Sequence, residues 1–302
     1  MGTIRERLFL ERLRCIGPER VDPVAGMKQK ARAKYIEENW QKLFPPVDAA
    51  LLKVVTAPLQ RVVSKGMDPA TDEMMRTHWE PQIKAKLHNT YEFYVIMLRY
   101  SSSVKERNAE EQSRLLLNYY LLLVEGVYSA QVNLVCHLLC NMGQQYRSSK
   151  SAMEHGPAPG SIGVIEEDSL WNKLRFLEDN GFSFMVDACD RQLRNSVAHL
   201  DFIVFTNGCV GYGTTSRGPK VISYDELVHK VEVLKSITDA VNEVLADSTA
   251  AWRKAVKEKK SKTAPKAAAK VAKAGPKDPK EVLKAMGMEK SSPEEREPTV
   301  RL

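Results

Sequence analysis

Apolar residues recur at helical spacing along most of the chain, and the clearest case is residues 109–147. Steps of three and four residues place the apolar side chains of this stretch on one helix face. These side chains are Leu116, Tyr119, Tyr120, Leu123, Val127, Ala130, Leu134, Leu138 and Met142. The same spacing predicts helices over 27–43, 47–65, 184–200 and 224–252, and therefore an all-α protein.

Prolines and capping residues mark the limits of the N-terminal helices. Pro45-Pro46 stops the first helix, and Pro58 is expected to kink or break the second. Asp68-Pro69 is typical of an N-cap followed by a proline in the first helical turn. This pair predicts a helix that runs through Trp79 and is bent by Pro81.

A small β element interrupts the helices of the C-terminal half. Asp168-Ser169 opens a short helix, LWNKLRFLED, and the next helix leads into FIVFTNGCVGYGTT. That segment is rich in β-branched and aromatic residues and contains a Thr-Asn-Gly turn, so it predicts a β-hairpin. Ser223 and Glu226 form a capping box that starts the last helix.

The positive charge of the chain is concentrated near its C terminus. The formal net charge is +7, yet residues 1–251 carry 30 Lys and Arg against 31 Asp and Glu. Residues 252–284 carry 12 basic and 3 acidic residues, a net charge of +9. A nearly neutral body excludes a broad basic surface for nucleic acid. We expect residues 253–302 to form a disordered Lys/Ala-rich tail, either a solvated arm or, as we favour, a salt-dependent tether for RNA.

The cysteines and the longest apolar run indicate a cytoplasmic protein without a membrane partner. Five cysteines, an odd number without regular spacing, favour reduced thiols over a disulfide framework. The apolar run 115–140 is interrupted by polar residues such as Asn118 and Glu125. It therefore predicts a buried bundle helix, since a membrane span takes about 20 nearly uncharged residues. No signal peptide is predicted.

No metal site and no cofactor are predicted. The segment that comes nearest to a ligand cluster is Cys136-His137-x-x-Cys140. Cys136 and Cys140 share a helix face, but His137 lies about 100° away from Cys136, and no second ligand pair has suitable spacing. Burial as small apolar side chains explains the two cysteines better.

One stretch, DRQLRNSVAHLDF at 190–202, contains the residue types that phosphodiester chemistry needs. Arg194-Asn195-Ser196-Val197-Ala198-His199 resembles the R-x4-6-H signature of HEPN domains. Upstream, LWNKLRFLEDNGF is similar to the short helix and turn that precede the motif helix in abortive-infection-like members. Downstream, ISYDEL opens a helix as in the family, and the long helix with Glu125 takes the place of the earlier bundle helix. The resemblance covers roughly residues 109–248.

The resemblance implies an up-and-down helical bundle at 106–252, with the hairpin as a small insertion and residues 1–105 as an accessory helical region. Family members often dimerise, so that two copies of the motif face each other across a cleft. Many are metal-independent endoribonucleases, and others are inactive partners or nucleotide-binding modules. The implied partners are RNA and a second copy of the chain. A toxin or defence role, with a cognate antitoxin, is a further expectation from the family.

The motif residues suit RNA cleavage on chemical grounds as well. Histidine side chains titrate near neutral pH, so His199 is the candidate general acid or base. Arg194 stays charged and offers a planar fork to phosphate oxygens. Asn195, four residues before His199, shares its helix face and could orient the imidazole. Attack by the RNA 2′-OH then leaves a 2′,3′-cyclic phosphate and a 5′-OH.

The spacing of the motif raises a geometric difficulty. Arg194 and His199 are five residues apart, roughly 140° around a helix, so a straight helix points them apart. A long reach of the arginine, a bend, or a second copy could bring them together, and a dimer is the simplest closure. Glu125 is costly inside an apolar helix unless it is paired. It is an auxiliary group of the cleft that pairs Arg194, a structural ion-pair member, or a solvent-facing residue.

Two further functions remain open. The chain could be a non-catalytic HEPN module that binds RNA, a nucleotide or a protein, or a helical interaction protein whose motif only supports a dimer. In the plainest alternative, Arg194 is an ordinary surface arginine and His199 a hydrogen-bonded core histidine. Two motifs in one open cleft of a dimer would favour the enzyme. Arg194 salt-bridged away from His199 in a monomer would favour the other readings.

Overall fold

The computed structural model describes residues 26–43, 47–103, 108–147, 162–213 and 218–273. Within these ranges the chain is mostly helical, as the spacing of its apolar residues predicts, and it includes one small antiparallel sheet. The part of the predicted tail beyond Lys273 lies outside the described residues.

The described helices before residue 104 occupy the stretches where helical spacing predicts them, and the helix predicted to start after an Asp68 cap does so. They are α1 (Gln29–Leu43), α2 (Ala49–Gly66), α3 (Pro69–Met74) and α4 (Glu80–Ser103), and a π-helical turn (Met75–Trp79) joins α3 to α4. The carboxylates of Asp48 and Asp68 cap α2 and α3, accepting hydrogen bonds from the backbone N–H groups of Ala50 and Thr71. A break at Pro58 does not occur, because buried side chains on both sides of it hold α2 in the core.

The long helix predicted over 109–147 is divided. It consists of α5 (Ala109–Leu123), a π-helical turn (Val124–Tyr128) and α6 (Ser129–Asn141). Gly126 has non-helical backbone angles, φ −85° and ψ −107°. Glycine adopts such angles at little steric cost, and a π-helical turn commonly accommodates an extra residue within a helix. The prediction of one continuous helix is therefore wrong at this turn.

The helix predicted over 184–200 is also two helices. Two short helices precede it, α7 (Ile162–Glu167) and α8 (Leu170–Asp179). The first part of the predicted helix is α9 (Ser183–Ala188). The motif itself lies on α10 (Arg191–Ala198), which starts after an extended Cys189 and an Asp190 N-cap. The physical cause of the break is Asp190, whose side chain caps the new helix by accepting from the Leu193 backbone N–H at 3.0 Å.

The predicted hairpin is part of a three-stranded sheet. The strands are β1 (Phe202–Val204), β2 (Val210–Tyr212) and β3 (Lys220–Ile222), and their order is β1-β2-β3 with antiparallel pairing throughout. Gly211 faces Ile203 on one side and Val221 on the other. The third strand was not predicted, although Gly218-Pro219, a pair typical of turns, directly precedes it.

One core joins the helices on both sides of residue 104. Val55 and Leu59 from α2 belong to the same buried cluster as Leu138 from α6. A hydrogen bond also joins α6 to α2, because the side-chain amide of Asn141 donates to the Gly66 carbonyl at 3.0 Å. The helices predicted as an accessory region thus share the core of the helices that follow. The described residues up to Trp252 form one compact unit, and a second unit begins at Arg253.

The last helix, α11 (Tyr224–Lys273), starts at the predicted capping box. The backbone N–H of Ser223 donates to Glu226 at 2.7 Å, and the backbone N–H of Glu226 donates to the Ser223 hydroxyl at 3.2 Å. The predicted end near Trp252 is wrong, because the helix continues to Lys273. Alanine and lysine dominate this continuation, and both form helices without needing a buried face.

One described stretch, Ala109–Asn141, has the length and apolar composition of a membrane-crossing helix. Of its most apolar window, 67% is buried within the protein. The side chains that give this stretch its apolar character are therefore core residues of the folded unit.

Candidate functional site

Glu125 and the motif arginine form an ion pair across the fold. The Arg194 guanidinium donates through Nε to a Glu125 carboxylate oxygen, and its Nη1 donates to Asn195 Oδ1 at 2.9 Å. The exposed fraction of the side chain is 27% for Arg194 and 44% for Glu125. Glu125, Arg194 and Asn195 thus form one solvent-accessible cluster, which we call the motif cluster.

The π-helical turn explains how a carboxylate is tolerated in an apolar helix. Val124, Val127 and Tyr128 of this turn are fully buried, whereas Glu125 is exposed. The charge therefore remains hydrated and is paired as well, so the cost of burying it is avoided.

Asp190 anchors the motif helix to the rest of the protein. Besides capping α10, its carboxylate accepts from the Tyr212 hydroxyl and from the Lys230 ammonium, each at 2.9 Å. Tyr212 belongs to β2 and Lys230 to α11. One carboxylate thus holds the motif helix, the sheet and the last helix together.

Asp190 should make the stability of the protein dependent on acid pH. Burial is the largest influence and opposes ionisation, but the bonds from Leu193, Lys230 and Tyr212 outweigh it, so the pKa of Asp190 lies below its ordinary value. A depressed carboxyl pKa stabilises the fold above the unfolded-state pKa, and this contribution is lost as the pH falls through the folded-state pKa.

We expect Asp190→Asn to lower the free energy of unfolding by about 1–2 kcal/mol at pH 7, because the amide still caps α10 but loses its charge toward Lys230. Urea unfolding of both proteins from pH 7 down to pH 2 measures this effect. The difference in the free energy of unfolding between the wild-type protein and Asp190→Asn should shrink once the pH falls below about 4, where the unfolded-state aspartate is protonated. A difference that stays constant across this range would contradict the assignment.

His199 lies at the exposed C-terminal end of the motif helix. Its backbone N–H donates to the Asn195 carbonyl at 3.0 Å, and its side chain faces solvent. This exposure excludes the interpretation of His199 as a core histidine.

The residue after His199 has an unusual backbone conformation. Leu200 has a positive φ of 57° and is 81% exposed. Left-handed backbone is costly for a non-glycine residue.

Within one chain, the motif cluster does not include His199. Asn195 Oδ1 accepts from Arg194, and the His199 imidazole makes no hydrogen bond to any described residue. Helical geometry separates the Cα atoms of Arg194 and His199 by about 9 Å. The structure thus brings together Glu125, Arg194 and Asn195, three of the four predicted residues. His199 is exposed to solvent at the end of the helix.

A cavity of about 120 Å³ adjoins the motif cluster between the start of α8 and α10. The guanidinium carbon of Arg191 stands 4.4 Å from the centre of the Trp171 ring, which is the distance of a cation–π contact. The lining residues are Ser169, Leu170, Trp171, Leu174, Cys189, Arg191, Arg194 and Asn195.

Arg191 and Trp171 are members of this site that sequence reasoning missed. Arg191 precedes Arg194 by three residues, a spacing that places both on one helix face, so the sequence did contain a signal for the second arginine. No comparable signal marked Trp171, which enters the site only through the packing of α8 against α10.

The cysteines of α6 belong to a separate, buried cluster. Cys136 is fully buried and donates weakly to the Lys173 carbonyl, while His137 packs on Trp79 with 5.0 Å between ring centres. The Lys173 ammonium donates to Asn133 Oδ1 at 2.8 Å, and burial lowers the pKa of this amine. No group of three or more His, Cys, Asp or Glu side chains among the described residues could hold a metal ion. This cluster is accounted for by packing.

Comparison of the chain with protein-family models, with curated proteins and with solved structures finds no match.

Proposed function

We propose that the protein is a metal-independent endoribonuclease of the HEPN type, built on a HEPN-like bundle at 106–252. One observation carries the proposal. The exposed His199 imidazole ends the same short helix whose preceding turns present Arg194 and Asn195 at the surface. A proton-transfer group and a phosphate-binding cation are thus accessible to solvent on one eight-residue helix and its cap.

The three motif residues have distinct roles in this mechanism. His199 moves the proton of the attacking 2′-OH or of the leaving 5′ oxygen. Arg194 stabilises the charge that develops on the phosphate. Asn195 and Glu125 hold the Arg194 side chain from two sides, which reduces the freedom it has to lose when it binds phosphate. RNA supplies the nucleophile, so the bond to the 5′ oxygen breaks as the 2′,3′-cyclic phosphate forms.

A dimer supports this mechanism better than a single chain. Arg194 is engaged by Glu125 and Asn195, and His199 stands apart from them at the helix end. Two copies related by a twofold axis would place the His199 of one chain against the Arg194 of the other.

Mixing two inactive variants tests whether the site forms between chains. His199→Ala and Arg194→Ala homodimers should each be inactive. In a heterodimer one of the two shared sites keeps both residues, so an equilibrated equal mixture should recover about a quarter of wild-type activity. If each site is formed within one chain, no mixture regains activity. The measurement is cleavage of a labelled oligoribonucleotide after refolding the variants separately and together.

The wider biological setting follows only from the family resemblance. We infer a cytoplasmic protein that acts as a toxin or in defence, and that is controlled by a cognate antitoxin. The basic continuation of α11 beyond Trp252 suits weak, salt-dependent retention of RNA.

Cleavage of labelled total RNA in the presence of EDTA is the direct test of the proposal. We expect cutting by the wild-type protein, with 2′,3′-cyclic phosphate and 5′-OH ends. Cutting that requires added divalent metal would contradict the metal independence of the proposed mechanism. Cutting that leaves 3′-OH and 5′-phosphate ends would contradict attack by the 2′-OH, which produces a 2′,3′-cyclic phosphate. A 2′-O-methyl substrate, which lacks the nucleophile, should remain intact.

The second candidate function is RNA or nucleotide binding without cleavage. It is favoured by the Arg194–Glu125 ion pair, which engages the motif arginine away from His199 in the single chain. Binding of an uncleavable RNA that survives in a His199→Ala variant, together with wild-type protein that cuts no RNA, would support this candidate over the nuclease.

A further inference from the structure

The cavity beside the motif cluster is positively charged. Its lining contains two guanidinium groups, Arg191 and Arg194, and only Arg194 is paired with a carboxylate. Among the described residues, the recorded side-chain contact of Arg191 is the Trp171 ring. The lining carries these two guanidinium groups and no carboxylate, so an anion is the favoured occupant.

The polar groups of the lining offer hydrogen-bond donors, and the Asn195 and Ser169 side-chain oxygens each already accept one hydrogen bond. Asn195 Oδ1 accepts from Arg194, which leaves the amide nitrogen to donate. The Ser169 hydroxyl oxygen accepts from the Asn172 backbone N–H at 3.3 Å. Burial raises the pKa of the Cys189 thiol to about 12, so no thiolate repels an anion here. The complementary ligand is one whose polar atoms are acceptors.

Trp171 orients Arg191 for such a ligand. The guanidinium carbon of Arg191 lies over the Trp171 ring, 4.4 Å from the ring centre. The guanidinium makes no hydrogen bond to a described residue, so its planar set of N–H donors is available to a ligand. A planar fork held in this way matches two oxygens of one phosphate.

The cavity is large enough for a phosphate group. A cavity needs roughly 10–15 Å³ to hold one water, so a volume of about 120 Å³ holds several waters, and a tetrahedral phosphate group fits. The cavity is open to solvent, so the sugar and base of a bound nucleotide would lie beside the half-buried indole and the motif helix.

We propose that this cavity is a phosphate subsite in which Arg191, oriented by Trp171, binds a backbone phosphate adjacent to the one at the motif. This inference rests on the proposed function for the identity of the polymer, RNA. The same phosphate chemistry is available from a free nucleotide, and the experiment separates the two sources. Arg191 is a binding residue in this proposal, and Trp171 is a positioning residue.

The test measures binding of a fluorescein-labelled 2′-O-methyl oligouridine by anisotropy, over a series of salt concentrations. We expect Arg191→Ala to weaken binding about tenfold, because a charged hydrogen bond to phosphate is lost. The slope of log affinity against log salt should fall by about 0.7, as expected for one single-strand phosphate contact. Arg175→Ala, which removes an exposed arginine from α8, is the matched control and should change neither quantity.

Two more variants keep the test decisive. Arg191→Lys retains the charge without the planar fork and should bind with intermediate affinity and an unchanged salt slope. Trp171→Leu keeps the apolar wall and should weaken binding severalfold while leaving the salt slope intact, since the arginine is present but no longer oriented. If Arg191→Ala and Arg175→Ala have the same affinity and the same slope, the subsite is refuted.

Displacement by a mononucleotide identifies the source of the phosphate, and this measurement does not depend on whether the protein cleaves RNA. Displacement of the oligonucleotide by uridine monophosphate from wild-type protein but not from Arg191→Ala would identify a free-nucleotide subsite. Resistance to the mononucleotide, together with the Arg191 effect, would identify an RNA backbone subsite. Because the oligonucleotide cannot be cleaved, absence of RNA cutting refutes the nuclease and leaves the subsite result standing.

Discussion

His199→Ala should abolish RNA cleavage while leaving the fold intact. The imidazole is exposed at the end of α10 and makes no hydrogen bond to a described residue, so its removal costs little stability. Loss of a general acid or base typically lowers the rate by 10²–10⁴-fold. We expect a loss of at least about a hundredfold in the first-order rate under saturating protein, measured with a labelled oligoribonucleotide in EDTA. RNA binding should change little, because the proposed mechanism assigns the phosphate contacts to arginine.

The matched control for this variant is His88→Ala. His88 is also an exposed helical histidine, on α4, and lies outside the motif. Both variants should unfold at the wild-type temperature and have the same dimer content. If His199→Ala cuts RNA as fast as His88→Ala, the histidine does not transfer a proton in the reaction, and the non-catalytic binding function becomes the better account.

Gly66→Ala should be the most destabilising single methyl addition to the helical core. A Cβ at Gly66 would stand 2.3 Å from the Leu138 carbonyl oxygen and 3.0 Å from its carbon. These are backbone atoms of α6, so no side chain can turn away. The two helices would have to separate, breaking the bond from Asn141 to the Gly66 carbonyl. We expect a loss of about 3 kcal/mol in the free energy of unfolding, measured in urea.

Gly163→Ala is the control for this substitution. Gly163 is also helical, on α7, but among the described residues no atom outside its own helical turn lies within 4 Å of its ideal Cβ. Replacing an unstrained helical glycine by alanine gains up to about 1 kcal/mol, chiefly through the unfolded chain. If both variants unfold at the same urea concentration, α2 and α6 are not in the close contact described above.

Close approach of α2 and α6 could not be read from the sequence. The apolar pattern of each helix predicted a buried face, but it did not indicate which faces meet. Gly66 stood at the predicted end of a helix, where a glycine is usually explained as a terminator. Gly66 actually permits the close approach of the Leu138 backbone, which lies 72 positions further along the chain.

The divisions of the two long predicted helices have different causes. Gly126 was visible in the sequence as a weak helix former, yet an isolated glycine inside an apolar helix is usually tolerated. At Asp190 the sequence allowed either a helical interior or a cap. Its carboxylate caps α10 and also binds Tyr212 and Lys230, so partners distant in sequence stabilise the cap.

The sequence by itself determined the helical character of the protein, the starts of several helices and the identity of the motif. Those features depend on interactions within a turn or two, such as the caps at Asp68 and Ser223. Only the tertiary structure decided that Glu125 pairs with Arg194 and that Trp171 orients Arg191. These contacts join separate helices, and apolar periodicity specifies which face of a helix is buried but not its partner.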